Sequence, residues 1–280
     1  MPRFSRIHHV GIVVRSLDAA WPFWRDVLGL TVSKTAVVPD QGVSAALLPC
    51  GESEIELLEP VNENGGVARF LEKRGEGLHH VCFQTDDVAG ALEDAQARGI
   101  PLIDKAPREG LAGMIGFLHP KASCGTLVEY ATPFPADAPP ESHPPQGPFR
   151  GLRMAGVAVH DGAAAEKIFR ANFDLGCART VEDSARGARV SFLPVGRAAV
   201  ALMSPAGPNP AGLIASRLSS GGEGLFLLGI EVDDFAAAAR RLEQAGLPVR
   251  RTRSPEGLDV GLVGPAGTSN VPIEFYAVPT

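Results

Sequence analysis

Apolar and polar residues alternate along Ile7-His8-His9-Val10-Gly11-Ile12-Val13-Val14, a β-branched run that predicts a strand. Helical spacing takes over from Ser16 to Leu28, where Leu17, Ala20, Phe23, Trp24, Val27 and Leu28 share a stripe. Pro22 falls late in the first turn at some cost, and Gly29 suits the C-terminal stop. Three short strands are expected next, around Leu30–Ser33, Val43–Leu48 and Glu54–Leu58, closed by Pro60. The pattern is βαβββ. After a connecting helix over Gly65–Arg74 it recurs. Leu78–Thr85 is a strand, and Asp87 caps a helix whose buried face carries Val88, Ala91, Leu92 and Ala95 before Gly99 stops it. Strands follow near Leu102–Lys105, Met114–Leu118 and Thr126–Tyr130.

Thr132 to Pro148 is rich in proline, which favours extended backbone and forbids a ladder. The chain is therefore expected to divide into 4–133, a linker at 134–149, and 150–280, with His143 solvated in the linker. A third unit has a strand at Leu152–Val159, a helix at Ala163–Phe173 capped near His160, and strands at Thr180–Glu182, Ala188–Leu193 and Ala198–Met203. A fourth opens at Gly224–Glu231, continues with a helix from Asp234 to Gln244 that Gly246 stops, and ends at Ile273–Tyr276. The expected fold class is α+β: four βαβββ units in two pairs, forming mixed curved sheets with flanking helices.

Composition narrows the class. Apolar residues are 45% and charged residues 21%, which fits a globular chain and excludes a disordered one. The net charge of -6 argues against nucleic-acid or anionic-membrane partners. Cys50, Cys82, Cys124 and Cys177 are scattered without a C-x-x-C, so neither a disulfide framework nor a nucleophilic cysteine is expected. The N-terminal residues run straight into a strand pattern without a signal-peptide core or membrane-length apolar run, and a cytoplasmic location is expected.

Superposing the repeats brings out candidate chemistry. Glu56 follows His9 by 47 positions and Glu129 follows His80 by 49, so four metal-type side chains occupy matched places. If the units pair about a pseudo-twofold axis, two imidazoles and two carboxylates converge in one cup. A lone strand histidine or glutamate is ordinarily a hydrogen-bonded or solvated residue; the matched positions set these four apart. Such a set suits one divalent first-row ion with open positions: Co²⁺, Mn²⁺, Zn²⁺, Ni²⁺ or Fe²⁺. His8 and His79 are expected on the opposite face, as supporting or surface residues, and His119 in a turn. The second half provides a control. Shifted by about one half-chain, His9 falls on Met154, Glu56 on Ala201, His80 on Leu227 and Glu129 on Glu274, so 150–280 is expected to be a degenerate, metal-free pair.

With these residues the chain resembles the vicinal oxygen chelate (glyoxalase/bleomycin resistance/dioxygenase) superfamily. Within it 4–133 is similar to methylmalonyl-CoA epimerase. The motifs are His9-Val10-Gly11-Ile12-Val13-Val14, Asp40-Gln41-Gly42-Val43, Glu54-Ile55-Glu56-Leu57-Leu58-Glu59-Pro60, Val67-Ala68-Arg69-Phe70-Leu71, Gly77-Leu78-His79-His80-Val81, and Phe117-Leu118-His119-Pro120-Lys121 followed by Gly125-Thr126-Leu127-Val128-Glu129. The resemblance implies metal ligands His9, Glu56, His80 and Glu129, and a malonyl-type acyl-CoA thioester as small-molecule substrate. It implies an isomerase that epimerises methylmalonyl-CoA or a similar thioester through a metal-stabilised enolate. Glu129 is the first candidate for moving the proton, with Glu56, Asp40 or a water for the second face. Ala45 stands where some members carry a carboxylate proposed as a base. The two-module length is instead the layout of extradiol dioxygenases, which usually hold iron in the C-terminal module. A dioxygenase, a glyoxalase-like lyase and a non-catalytic binding protein are the competing readings. Either a monomer or a homodimer fits.

Overall fold

The computed structural model describes residues 3–135, 137, 145–183, 187–206 and 212–277. His143 and most of the proline-rich segment lie outside the described residues. The first half contains β1 (Ile7–Val13), α1 (Leu17–Trp21), β2 (Lys34–Val38), β3 (Val43–Cys50), β4 (Ser53–Pro60), α2 (Gly66–Arg74), β5 (Gly77–Gln84), α3 (Val88–Ala97), β6 (Arg108–Gly110), β7 (Gly113–Leu118) and β8 (Leu127–Thr132). The second contains β9 (Phe149–Ala158), α4 (Gly162–Phe173), β10 (Arg179–Asp183), β11 (Ala188–Val195), β12 (Ala198–Pro205), α5 (Leu213–Gly221), β13 (Gly224–Val232), α6 (Phe235–Gln244), β14 (Val249–Arg253), β15 (Asp259–Val263) and β16 (Ile273–Ala277).

These strands form two mixed eight-stranded sheets of identical topology, β2-β3-β4-β1-β5-β8-β7-β6 and β10-β11-β12-β9-β13-β16-β15-β14. In each, the first strands of two βαβββ units pair antiparallel at the centre, and each is flanked by its own unit's last strand in parallel. Four strands with the same frame are thereby brought side by side. The helices cover one face of each sheet, and one apolar cluster including Trp24, Phe83, Phe169 and Phe275 runs through both halves. Smaller clusters around Val13, Leu47 and Leu58, and around Cys82, Ile115 and Ala131, line the other face of the first sheet. Among the described residues no helix is long and apolar enough to cross a membrane.

Several local expectations need correction. The helix after β1 does not stay α-helical. Pro22 has no N–H to donate, and from there the backbone widens to i→i−5 bonding, with the Leu28 N–H on the Phe23 carbonyl at 3.0 Å. The strand expected at Leu30–Ser33 lies at Lys34–Val38, because Leu30 is drawn into the core beneath the helix. Leu102–Lys105 is not a strand but a single bridge from Leu102 to Leu118. There the Asp104 carboxylate takes the Phe117 N–H at 2.9 Å, and β6 forms further on. His160 does not cap α4; Asp161 does, accepting the Ala164 N–H at 3.0 Å, while the His160 N–H goes to Glu223. The helix α5 was not anticipated.

Candidate metal centre

The four sequence-predicted residues meet on the face of the first sheet opposite the helices. β1 carries His9, β4 Glu56, β5 His80 and β8 Glu129, and all four are buried. The His9 and His80 Nε2 atoms stand 2.9 Å apart. Glu129 Oε2 lies 2.8 Å from His9 Nε2 and 3.3 Å from His80 Nε2. Glu56 Oε2 lies 3.4 Å and 3.3 Å from the same two nitrogens. Ligands about 2.1 Å from a common ion, set at right angles, stand roughly 3 Å apart, which is the spacing seen here. Two ring nitrogens at 2.9 Å cannot both carry a proton, and Glu129 Oε2 is buried with no hydrogen-bond partner. A cation would accept both lone pairs and the orphaned oxygen, so the donor set fits one.

The register explains why this cup forms, and it corrects one expectation. His9 pairs with Cys82 and Gly11 with His80, but His8 and His79 are skipped in the β1–β5 ladder. Each is the extra residue of a bulge, a device that re-aims side chains. Neither histidine therefore turns away to the opposite face. His8 Nδ1 meets His9 Nδ1 at 3.0 Å, and His79 Nδ1 meets His80 Nδ1 at 2.9 Å. Burial, then the neighbouring His9, holds His8 well below the ordinary histidine range, and burial and His80 pull His79 down to about 3. As neutral rings they can accept an Nδ1–H from their neighbours, which leaves the Nε2 lone pairs of His9 and His80 facing the cup.

Burial lowers the proton affinity of His80, but the adjoining carboxylates of Glu129 and Glu56 outweigh it and raise its pKa to about 9. Burial acts against the charge on Glu129, yet His9 and His80 hold it well below the usual carboxylate range. Cys82 packs behind His8 and His9. Burial and then Glu129 push its thiol well up, so it stays protonated and is a poor ligand beside the four. Burial likewise raises Cys50 to about 12. Both agree with the absence of nucleophilic character in the sequence.

His80 is the member of the four that lines an open pocket of about 520 Å³, together with Asp40, Gln41, Arg69, Arg108 and Phe117. Asp40 is exposed at the rim, whereas Ala45 is buried in the apolar cluster beside the cup. His119 lies in a turn, its Nδ1 accepting the Lys121 N–H at 3.1 Å. Two residues of the pocket escaped the sequence reading. Phe117 packs edge-on against the His80 ring at 5.3 Å, and Arg108 stands over Phe117 at 5.4 Å. Phe117 belongs to a motif noted for its histidine, and Arg108 lies in what reads as a loop.

Gly11 lies opposite His80 in the β1–β5 ladder. A Cβ built there would lie 2.1 Å from His80 Cε1 and 2.4 Å from Nδ1, so the ring needs a bare backbone beneath it. Gly11→Ala is expected to push His80 out of the cup and weaken metal binding about 10–100-fold, the scale seen for groups that orient a ligand. Equilibrium metal titration checks this; parent-like affinity would show that the ring does not need that place.

In the second sheet the same register places Gly156 opposite Ala201 and Leu227, and Glu274 opposite Gly229. Met154, Ala201 and Leu227 fill the equivalent space as one apolar cluster. Glu274 is buried there beside the Tyr276 hydroxyl, which donates to it.

The family profile of the Glyoxalase/Bleomycin resistance protein/Dioxygenase superfamily matches twice, over residues 8–117 and 155–261. The mitochondrial methylmalonyl-CoA epimerase of Mus musculus is 36% identical over 129 residues, covering 45% of this chain and 72% of its own. The ethylmalonyl-CoA/methylmalonyl-CoA epimerase of Cereibacter sphaeroides is 36% identical over 128 residues, covering 45% of this chain and 96% of its own. A triple mutant of 4-hydroxymandelate synthase from Streptomyces coelicolor matches the whole fold with a TM-score of 0.74 at 20% identity, covering 100% of this chain and 95% of that one.

Proposed function

Since the chain belongs to the Glyoxalase/Bleomycin resistance protein/Dioxygenase superfamily, we propose that it is a divalent-metal-dependent epimerase of methylmalonyl-CoA or a closely similar acyl-CoA thioester. The observation that carries this reading is the cup itself, two Nε2 atoms and two carboxylate oxygens in mutual contact at 2.8–3.4 Å. The two curated epimerases described above align with the half that contains it, which supports the choice of reaction. The fold likeness to the synthase, at 20% identity, carries no reaction with it.

His9, Glu56, His80 and Glu129 would hold the ion. When bound, the ion supplies Lewis acidity toward the paired carbonyl and carboxylate oxygens of a malonyl thioester, lowering the cost of negative charge at the α-carbon. The protein's own work is to present these donors from four adjacent strands, keep water from their buried sides, and move a proton on each face of the α-carbon. Glu129, whose Oε2 stands in the cup beside both imidazoles, is the first candidate to take a proton, and Glu56 across from it is the second. Ala45 leaves the β3 face without a carboxylate, so proton delivery there falls to Glu56, to Asp40 at the rim, or to a water.

The reaction tests itself in D₂O. A single epimer incubated with metal-loaded protein is expected to gain one α-deuterium per turnover and to racemise at that centre, read by mass spectrometry and chiral analysis. Absence of α-deuteration with Co²⁺, Mn²⁺, Zn²⁺, Ni²⁺ and Fe²⁺ alike would sink the epimerase reading. Oxygen uptake with a catechol in its place would favour a dioxygenase.

A further inference from the structure

The cleft between α2 and α5 plays no part in the chemistry above. These helices are repeat counterparts, and each runs into its strand through the same Gly-Glu-Gly-Leu turn, Gly75–Leu78 and Gly222–Leu225. They border a cleft of about 790 Å³ between the two halves of the chain. α2 contributes Phe70, Lys73 and Arg74, and α5 contributes Leu213, Ser216, Arg217 and Ser220, spacings that place each set on one face of its helix.

The charge in this cleft is out of balance. Its lining carries three cations, Lys73, Arg74 and Arg217, against one carboxylate, Glu76. Glu76 is already engaged, accepting the Arg15 N–H at 2.8 Å. No ion pair to any of the three cations occurs among the described residues. Arg217 is half-buried, and among the described residues its guanidinium donates only to carbonyls, Gly222 at 2.8 Å and Leu225 at 3.3 Å. Arg74 is exposed over the Phe70 ring at 5.9 Å. Burial, and then the charge of Arg74, lowers the proton affinity of Arg217, as expected where positive charge lacks a counterion. In the His80 pocket, by comparison, Arg108 is paired with a carboxylate, Asp104 at 3.3 Å, while Arg69, like Arg217, donates to a carbonyl, that of Asn64 at 2.6 Å.

We infer that the α2–α5 cleft is an anion site that seats a phosphate-bearing ligand, with Arg217, Arg74 and Lys73 as its cations. A guanidinium fork suits phosphate oxygens, and the exposed Ser216 hydroxyl at the rim can serve the rest of a phosphorylated molecule. The position is informative. Gly77 and Leu78 line this cleft and His79 and His80 line the metal-side pocket, so the two are neighbours along β5, about 10 Å apart at strand rise. The phosphates can belong to the nucleotide end of the thioester, a source that rests on the function proposed above, or to a separate phosphate-bearing molecule.

Calorimetric titration of the full-length protein with adenosine 3′,5′-bisphosphate and with inorganic pyrophosphate tests the site. Binding is expected in the parent, weakening with salt. It is expected to fall about tenfold or more in Arg217→Gln and in the double variant Lys73→Gln/Arg74→Gln, since a charge-assisted contact is lost in each. The double variant changes exposed side chains only, so it separates the site from folding; an unchanged melting temperature confirms that. Displacement of the bisphosphate by coenzyme A assigns the phosphates to the substrate, and lack of displacement assigns them to a separate ligand. Binding of neither probe by the parent, or parent-like affinity in the double variant, overturns the inference. The readout requires no turnover, so a failed isotope exchange would count against the reaction and leave this result standing.

Discussion

His80→Ala is expected to remove tightly bound metal and α-proton exchange together. Its Nε2 meets every other donor of the cup, 2.9 Å from His9 Nε2 and 3.3 Å from both carboxylates. Without it, two carboxylates and one imidazole remain around a gap where the ring had filled the space over Gly11. Metal content after desalting should fall from one equivalent to a small fraction of one. Loss of Lewis acidity worth several kcal/mol should slow exchange by roughly three orders of magnitude or more. The repeat supplies the matched control. Leu227→Ala alters the counterpart position in the second sheet, where Met154, Ala201 and Leu227 pack together. It should cost about 2–5 kcal/mol of stability as a cavity and leave metal content intact. Full metal content in purified His80→Ala would mean that the ion sits elsewhere.

The cup was legible because it is written twice. Each βαβββ unit repeats one frame, and the ladder pairs Gly11 with His80 and Gly156 with Leu227, so the alignment of repeats is also an alignment in space. The loss of donors at Met154, Ala201 and Leu227 could be read for the same reason. What escaped was local. A bulge is a one-residue slip between two chains, and nothing in the alternation of β1 or β5 marks His8 or His79 as the skipped residue. The edge strand β2 was misplaced because it pairs on one side only and is largely exposed, so it carries no burial signal. The helix α5 is short and serine-rich, with only Ile214 and Leu218 buried, too few to show a period. The setting of its Arg217 arises from two sequence-distant helices facing one cleft, which no single segment encodes.

Metal binding should strengthen steeply with pH, while the metal-free protein weakens. In the absence of an ion the His80 pKa is raised from its ordinary 6.5 to about 9, chiefly by Glu129 and Glu56 working against the cost of burial. A raised group contributes stability that is fully present below the unfolded value and is lost as pH climbs through the folded one. The metal-free melting temperature is therefore expected to fall between about pH 6.5 and 9. Glu129 has the opposite sign. Its pKa is depressed, so its contribution is present above the ordinary carboxylate value of 4.5 and is lost as the solution is acidified below that. An ion can bind His80 only after displacing the proton, so the apparent dissociation constant should drop about tenfold per pH unit up to about 9. His8 and His79 stay neutral through this range and add no proton of their own. Calorimetry at pH 7.5 in buffers of different ionisation enthalpy should therefore register close to one proton released per ion bound. A pH-independent affinity with no proton release would show that His80 is not displaced by the ion, and the same titration on His80→Ala should lose the proton whatever metal it retains.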